Sequence, residues 1–273
     1  MSPSATRVIV MACLLLLLCP VRAGAADGRP LHFGVLNQQS PLLTAERWNP
    51  ILAYLTQATG IPLQLKMGRT VQETDAMMGR GEFDLVYTNH NFQSEYDGVY
   101  KVIARWGGEP IRGVIAVPED SPLRSLADLQ GRRVAYPSVE AFVAYAVPKV
   151  ALDAAGVRAE AVFAGNQEGA LAQLRAQRVD AAAVNSRFLL QYAEREGLRH
   201  RILFQSEPFA ELPVIVHPRV PREQAEALRR ALVGMKHDPK AAQLLSKLKF
   251  PGFEPAEDRD YDNVRRIYRQ IGE

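Results

Sequence analysis

The chain carries one order of elements twice, and this repetition restricts its fold more than any other feature. The first copy opens with a strand over Leu31–Leu36 and the polar loop Asn37-Gln38-Gln39-Ser40. Ser40 followed by Pro41 suits a helix start, with serine capping and proline in the first turn. Trp48, Ile51, Leu52 and Leu55 recur at helical spacing and predict one buried face. Pro50 is expected to kink this helix or mark a restart, and Gly60 ends it. A strand over Ile61–Met67, the loop Gly68-Arg69-Thr70, a helix through Met77 and Met78, and a strand over Phe83–Thr88 complete the copy.

The second copy runs through the same series. Arg133–Tyr136 reads as a strand, Pro137–Glu140 as a loop, Ala141–Ala155 as a helix closed by Gly156, and Val157–Ala164 as a strand. Gly165–Glu168 then forms a loop, Leu171 and Leu174 mark a helix, and Val179–Val184 is the third strand. The third strands match in detail. Each begins with an apolar residue and Asp (Phe83-Asp84, Val179-Asp180), and each reaches Asn five positions after that Asp (Asn89, Asn185). Alternating strands and helices argue for α/β architecture, here two doubly wound α/β lobes.

Two apolar runs, Gly113–Val117 and Pro213–Val216, are read as crossings between the lobes, a two-strand hinge suited to a closing cleft. This places lobe one at 27–116 and 212–273 and lobe two at 117–211. Helices expected near Arg222–Met235, Lys240–Leu248 and Tyr261–Ile271 pack back on lobe one.

Residues 1–26 read as a cleaved signal peptide. Arg7 precedes the apolar run Val8–Cys19, Pro20 breaks it, and Ala23-Gly24-Ala25-Ala26 offers small residues at cleavage spacing. Export outside the cytoplasm, to a periplasm, follows. A lipid anchor on Cys19 is disfavoured, because a lipobox calls for a small residue where Leu18 stands. Cys13 and Cys19 are the chain's two cysteines. After cleavage there is no disulfide, thiol nucleophile or thiolate ligand. Loss of Arg7 and Arg22 takes the formal charge from +3 to +1, with both signs interspersed. No nucleic-acid or membrane-surface partner is expected.

In parallel α/β sheets, ligands lie beyond the carboxyl ends of the strands, near helix N-termini. Those ends offer Gln38, Gln39, Ser40, Arg69, Tyr87, Asn89 and His90 from lobe one. Lobe two offers Ser138, Glu140, Phe142, Asn166, Gln167 and Asn185. The set is mostly neutral and rich in hydrogen-bonding groups. Bland alternatives stand beside each: capping for Ser40 and Ser138, a solvated loop for Arg69, core packing for Phe142 and Tyr87. Asp84 and Asp180 precede their strands and are read as turn or cap residues. There is no Gly-x-Ser-x-Gly elbow, His-Glu-x-x-His pair, phosphate loop or Gly-x-Gly-x-x-Gly, and the five histidines are scattered. No metal, cofactor or catalytic residue is expected, although carboxylates that meet only in space leave an enzyme on the same fold as one reading.

Several stretches resemble the phosphate/phosphite/phosphonate-binding proteins of ABC importers, a branch of the type II periplasmic binding proteins. They are Phe33-Gly34-Val35 with Arg47-Trp48-Asn49-Pro50, Gly81–Tyr87, Asp120-Ser121-Pro122 with Ser125–Gly131, Ala164–Ala170, and Val216–Pro221. The resemblance implies a two-lobed Venus-flytrap fold that holds a small polar ligand between its lobes, a phosphonate-like oxyanion being the family's example. It also implies a monomer that docks on an ABC permease or, in the alternative, on a membrane sensor such as a histidine kinase. The family's run of Ser/Thr then Gly falls on Pro137-Ser138-Val139-Glu140-Ala141-Phe142, where Ser138 keeps a hydroxyl and Glu140 brings a negative charge. Its lobe-two glutamate falls on Gln167 beside Glu168, and an acidic position falls near Glu211 or Leu212.

Overall fold

A computed structural model of the protein describes residues 29–36, 41–90, 92 and 97–272. The expected signal peptide lies outside them, as do Gln38, Gln39 and Ser40. Two sheets organise these residues. The first has the order β2-β1-β3-β10-β4-β11, built from β1 (Leu31–Val35), β2 (Leu63–Lys66), β3 (Leu85–Tyr87), β4 (Lys101–Trp106), β10 (Pro213–Val216) and β11 (Phe253–Pro255). The second has the order β7-β6-β8-β5-β9, from β5 (Gly113–Pro118), β6 (Arg133–Tyr136), β7 (Glu160–Phe163), β8 (Ala181–Asn185) and β9 (His200–Gln205).

In each sheet the three strands of the repeat are mutually parallel, the first lying between the second and third. An antiparallel strand from the far side of the chain's crossing then joins the third: β10 on β3, and β5 on β8. The repeated sequence order is thus a repeated topology.

The matched aspartates explain themselves in this frame. Asp84 Oδ2 accepts the His32 N–H at 2.8 Å, and the Asp84 N–H returns to the His32 carbonyl at 2.9 Å. Asp180 does the same with Arg133, at 2.8 and 2.9 Å. Each side chain satisfies a backbone donor at the first strand's open end and so fixes the register of the third strand against the first. Asp84, 1% exposed, also pairs with Arg219 at 2.6 Å. Burial alone would raise its pKa; the hydrogen bonds from Arg219 and His32 outweigh that and hold it below the usual carboxylate range.

Helices cover both faces of each sheet. In lobe one, α1 (Pro41–Thr59), α6 (Arg222–Gly234) and α7 (Pro239–Lys247) enclose one core, in which Trp48 meets Phe33 at 5.3 Å and Tyr87 at 4.8 Å. The helix α1 runs unbroken through Pro50, so no restart occurs there. The opposite face carries α2 (Val71–Gly79) and α8 (Asp262–Gly272). In lobe two, α4 (Gln167–Arg175) and α5 (Ser186–Glu196) lie on one face, and α3 (Val147–Ala154) with a short turn at Leu126–Leu129 on the other.

Two expectations about the hinge are corrected. Gly113–Val117 and Pro213–Val216 do not cross between lobes; they are the strands β5 and β10, each hydrogen-bonded on both sides within its own sheet. A boundary between 116 and 117 therefore falls inside β5. The chain crosses instead at 107–112 and 206–212, joined by a bridge between Ile111 and Phe209 and by Arg112 donating to the Ser206 carbonyl at 2.7 Å. The tail also does more than pack on lobe one. α8 touches α3 and the turn before it, and Tyr268 lies 5.4 Å from Phe142, so the last helix spans both lobes.

Candidate functional site

Parallel order brings the carboxyl ends of β3, β6, β7 and β8 to one cleft between the lobes. A cavity of about 620 Å³ opens there. From lobe one it is lined by Asn89 and His90. Lobe two contributes Ser138, Glu140, Phe142, Asn166, Gln167 and Asn185, and the crossings add Ile111, Glu211 and Leu212. Eight residues singled out from the sequence thus share one space.

Two others require comment. Tyr87 does not face this cavity: it is 4% exposed and packed between Trp48 and Trp106, at 4.8 and 5.5 Å, in the lobe-one core. Strand alternation sends its side chain to that face. Arg69 is also elsewhere, with 92% of its side chain exposed and its charge set on Glu73 one helical turn away at 3.4 Å. Tyr145, three residues beyond Phe142, lines a separate cavity in lobe two with Tyr136, Lys149 and Arg158.

The lobe-two amides hold the site's own scaffold. Asn166 Oδ1 caps α4 by accepting the Gly169 N–H at 2.7 Å, and Asn185 Oδ1 caps α5 by accepting the Arg187 N–H at 2.9 Å. Gln167 Oε1 accepts the Asn185 N–H at 2.7 Å and ties the two helix starts together. In contrast, Asn89 Oδ1 is buried with no hydrogen-bond partner among the described residues. A buried acceptor without a donor is costly, and native sites that keep one commonly receive the donor from a ligand or water.

His90 is 2% exposed. Its Nε2 donates to the Ala210 carbonyl at 2.7 Å, and its ring stacks on Phe142 of lobe two at 4.8 Å. Burial lowers its pKa to about 4, so the imidazole is neutral at neutral pH. It joins the lobes rather than standing on the surface.

Phe142 opens a π-turn, Phe142–Ala146, that leads into α3. The Ala146 N–H reaches the Ala141 carbonyl and the Val147 N–H reaches Phe142. Pro148 has no N–H, so the Val143 carbonyl is left without a helical donor and projects toward β5. Only glycine fits opposite: a Cβ on Gly113 would lie 2.0 Å from that oxygen. Phe142, at the head of this turn, and Glu140, two residues before it, both line the cavity.

Glu211 and Arg187 were not singled out together by any sequence pattern. Glu211 is 6% exposed and pairs with Arg187 Nη2 at 2.8 Å; the same Nη2 donates to the Glu109 carbonyl at 2.7 Å. One lobe-two side chain thus holds both crossings. Burial pushes the Glu211 carboxyl above its usual range, against the pull of Arg187. Only the resemblance pointed toward Glu211, since partners 24 positions apart meet in space alone. No cluster of His, Cys, Asp or Glu able to hold a metal occurs among the described residues.

Two α/β lobes of matching strand order, crossed twice by the chain and enclosing a polar cleft, define a two-lobed periplasmic binding protein of type II. Comparison narrows this. Residues 33–261 match the family described as "ABC transporter, phosphonate, periplasmic substrate-binding protein", and the chain belongs to that family of solute-binding components of ABC importers. Solved structures share the fold. XAC2383 of Xanthomonas citri, solved with ATP, superposes with a TM-score of 0.73 at 19% identity over 89% of this chain and 96% of that one. PhnD1 of Prochlorococcus marinus, in complex with methylphosphonate, gives 0.71 at 17% identity over 90% and 99%. A curated ATP phosphoribosyltransferase of Thermodesulfovibrio yellowstonii is 35% identical over 97 residues. That match spans 34% of this chain and 31% of the enzyme.

Proposed function

We propose that the protein closes its lobes around one small polar solute in the interlobe cavity and hands it, chemically unchanged, to an ABC permease. The moving bodies are the two sheets with their helices, hinged at 107–112 and 206–212. Export through the leader ending near Ala26 and action as a monomer belong to the same reading. The observation that carries it is the lining itself: hydrogen-bonding groups from both lobes converge on about 620 Å³, a volume suited to a small molecule. A solute touching both lobes favours the closed form by its extra contacts there.

The test is thermal unfolding of the purified protein against phosphate, phosphonates, sulfate, carboxylates and amines. A solute at a hundredfold its dissociation constant adds about 2.7 kcal/mol, a rise of several degrees in the midpoint. Recovery of that solute intact supports binding without turnover. Recovery of a product would make the protein an enzyme on the same fold.

A further inference from the structure

We propose that lobe two carries a second binding site, between α3 and the edge strand β7, for a small aromatic carboxylate. The site lies apart from the interlobe cleft and does not depend on what that cleft holds.

The local fold leaves a hollow there. β7 ends its sheet, with β6 as its neighbour on one side. α3 stops at Ala154, and the chain turns through Gly156, in the left-handed region at φ +67, before entering β7. Between helix and strand remains a cavity of about 630 Å³, as large as the cleft at about 620 Å³. Both volumes suit a small molecule. Leu152 and Val157, which belong to the lobe-two core, and Ala161 of β7 give it apolar lining. Tyr136 and Tyr145 add aromatic walls, set edge to face at 5.1 Å. Phe163, at the end of β7, lies 5.4 Å from Tyr145 and 6.1 Å from Tyr136 and keeps 46% of its surface exposed. Such a group of rings offers both faces and edges to a further flat ring.

The polar groups define the other end of the ligand. Tyr136 is 2% exposed and lines the cavity, yet its hydroxyl makes no hydrogen bond to any described residue. A buried hydroxyl normally has a partner, so this one is open to a ligand oxygen. Burial raises its pKa, which keeps it a neutral donor. Asp153, whose charge bears on Tyr136, is matched by Lys149 one helical turn away on α3. Arg158 donates its backbone N–H to Gln130 Oε1 at 2.9 Å, but its guanidinium pairs with no described carboxylate. Two cations against one carboxylate leave the lining with one surplus positive charge. A carboxylate completes that balance at Arg158, with its ring against the tyrosines.

The rim is about half open, the Lys149 and Asp153 side chains being 43% and 49% exposed. A ligand of about ten heavy atoms is therefore expected to bind at roughly millimolar strength. Amide-resolved NMR titration of the purified protein measures this, with benzoate and 4-hydroxybenzoate as probes and benzylamine as the oppositely charged control. Tyr136→Phe, which keeps the ring, and Arg158→Gln are compared with the wild type after a check that their unfolding midpoints are unchanged. The expected result is saturable shifts within 149–161 on addition of at least one carboxylate, and weaker binding of benzylamine. Each variant should lose about fivefold or more in affinity for that carboxylate. Shifts confined to Asn89, Asn166 and Asn185 would place the probe in the cleft, overturning the second site while supporting the first. Benzylamine binding as tight as the carboxylates', unchanged affinity in either variant, or silence from both carboxylates also overturns it.

Discussion

Asn89 and Asn185 occupy equivalent places at the ends of β3 and β8, yet the structure gives them different work. Asn185 caps α5, so Asn185→Ala is predicted to lower stability by about 1 kcal/mol, measured by urea unfolding. Asn89 holds a buried acceptor with no donor, so Asn89→Ala should leave the solute-free stability unchanged or raised while weakening solute binding. A substantial fall in stability for Asn89→Ala would show that its amide is satisfied within the fold. His90 carries a second prediction at this scale. Its folded pKa, about 4, lies below the unfolded value of 6.5. Above pH 6.5 both states are neutral there and its contribution is complete. As pH falls from 6.5 toward 4 the unfolded state takes up a proton that the folded state refuses, so stability drops, on the order of 3 kcal/mol in all. Glu211, whose carboxyl is raised by burial, works in the opposite sense. The measurement is therefore a comparison: His90→Phe, which keeps a ring against Phe142, should lose about one proton's worth of slope between pH 6.5 and 4. An unaltered slope would mean that His90 does not titrate in this way.

Among the elements, the π-turn at Phe142–Ala146 depends most on a single distant residue. Gly113→Ala would drive a methyl group into the Val143 carbonyl, and no flexible side chain is there to yield. A loss of about 3 kcal/mol is expected, read from the unfolding midpoint. A neutral result would show that the turn slides back to α register without cost. Such a turn is hard to foresee from sequence: the apolar run Phe142-Val143-Ala144-Tyr145-Ala146 reads as ordinary helix, and only Pro148 hints that a carbonyl will be left over. The strands were easier. Asp84 and Asp180 recur with Asn89 and Asn185 at one spacing because both lobes close the same backbone gap in the same way. Arg69 and Tyr87 were assigned to the cleft because each leaves a strand or loop on the right edge. Neither edge position says which way a side chain turns, and packing on Trp48 and Trp106 decided Tyr87.

For the molecule as a whole, the lobe order was legible and the hinge was not. An apolar run such as Gly113–Val117 looks the same whether it bridges two sheets or is buried inside one, and long-range pairing with β8 and β9 settles the matter. Contacts that hold the lobes together are all distant in sequence: His90 on Phe142, Arg187 on both crossings, Tyr268 beside Phe142. They form an apolar and ionic seam between the lobes that shares Phe142 and Glu211 with the cavity wall. On the proposed function, closure on a solute would concentrate on Asn89 of lobe one and on Ser138, Glu140, Asn166 and Asn185 of lobe two, which line the cavity. Native mass spectrometry of the purified protein after exposure to a soluble metabolite extract tests this most directly. The account predicts one adduct at one-to-one stoichiometry, released unchanged on denaturation and lost in an Asn89→Ala, Glu140→Gln double variant. An adduct that persists in the double variant, or none in the wild type, would contradict it.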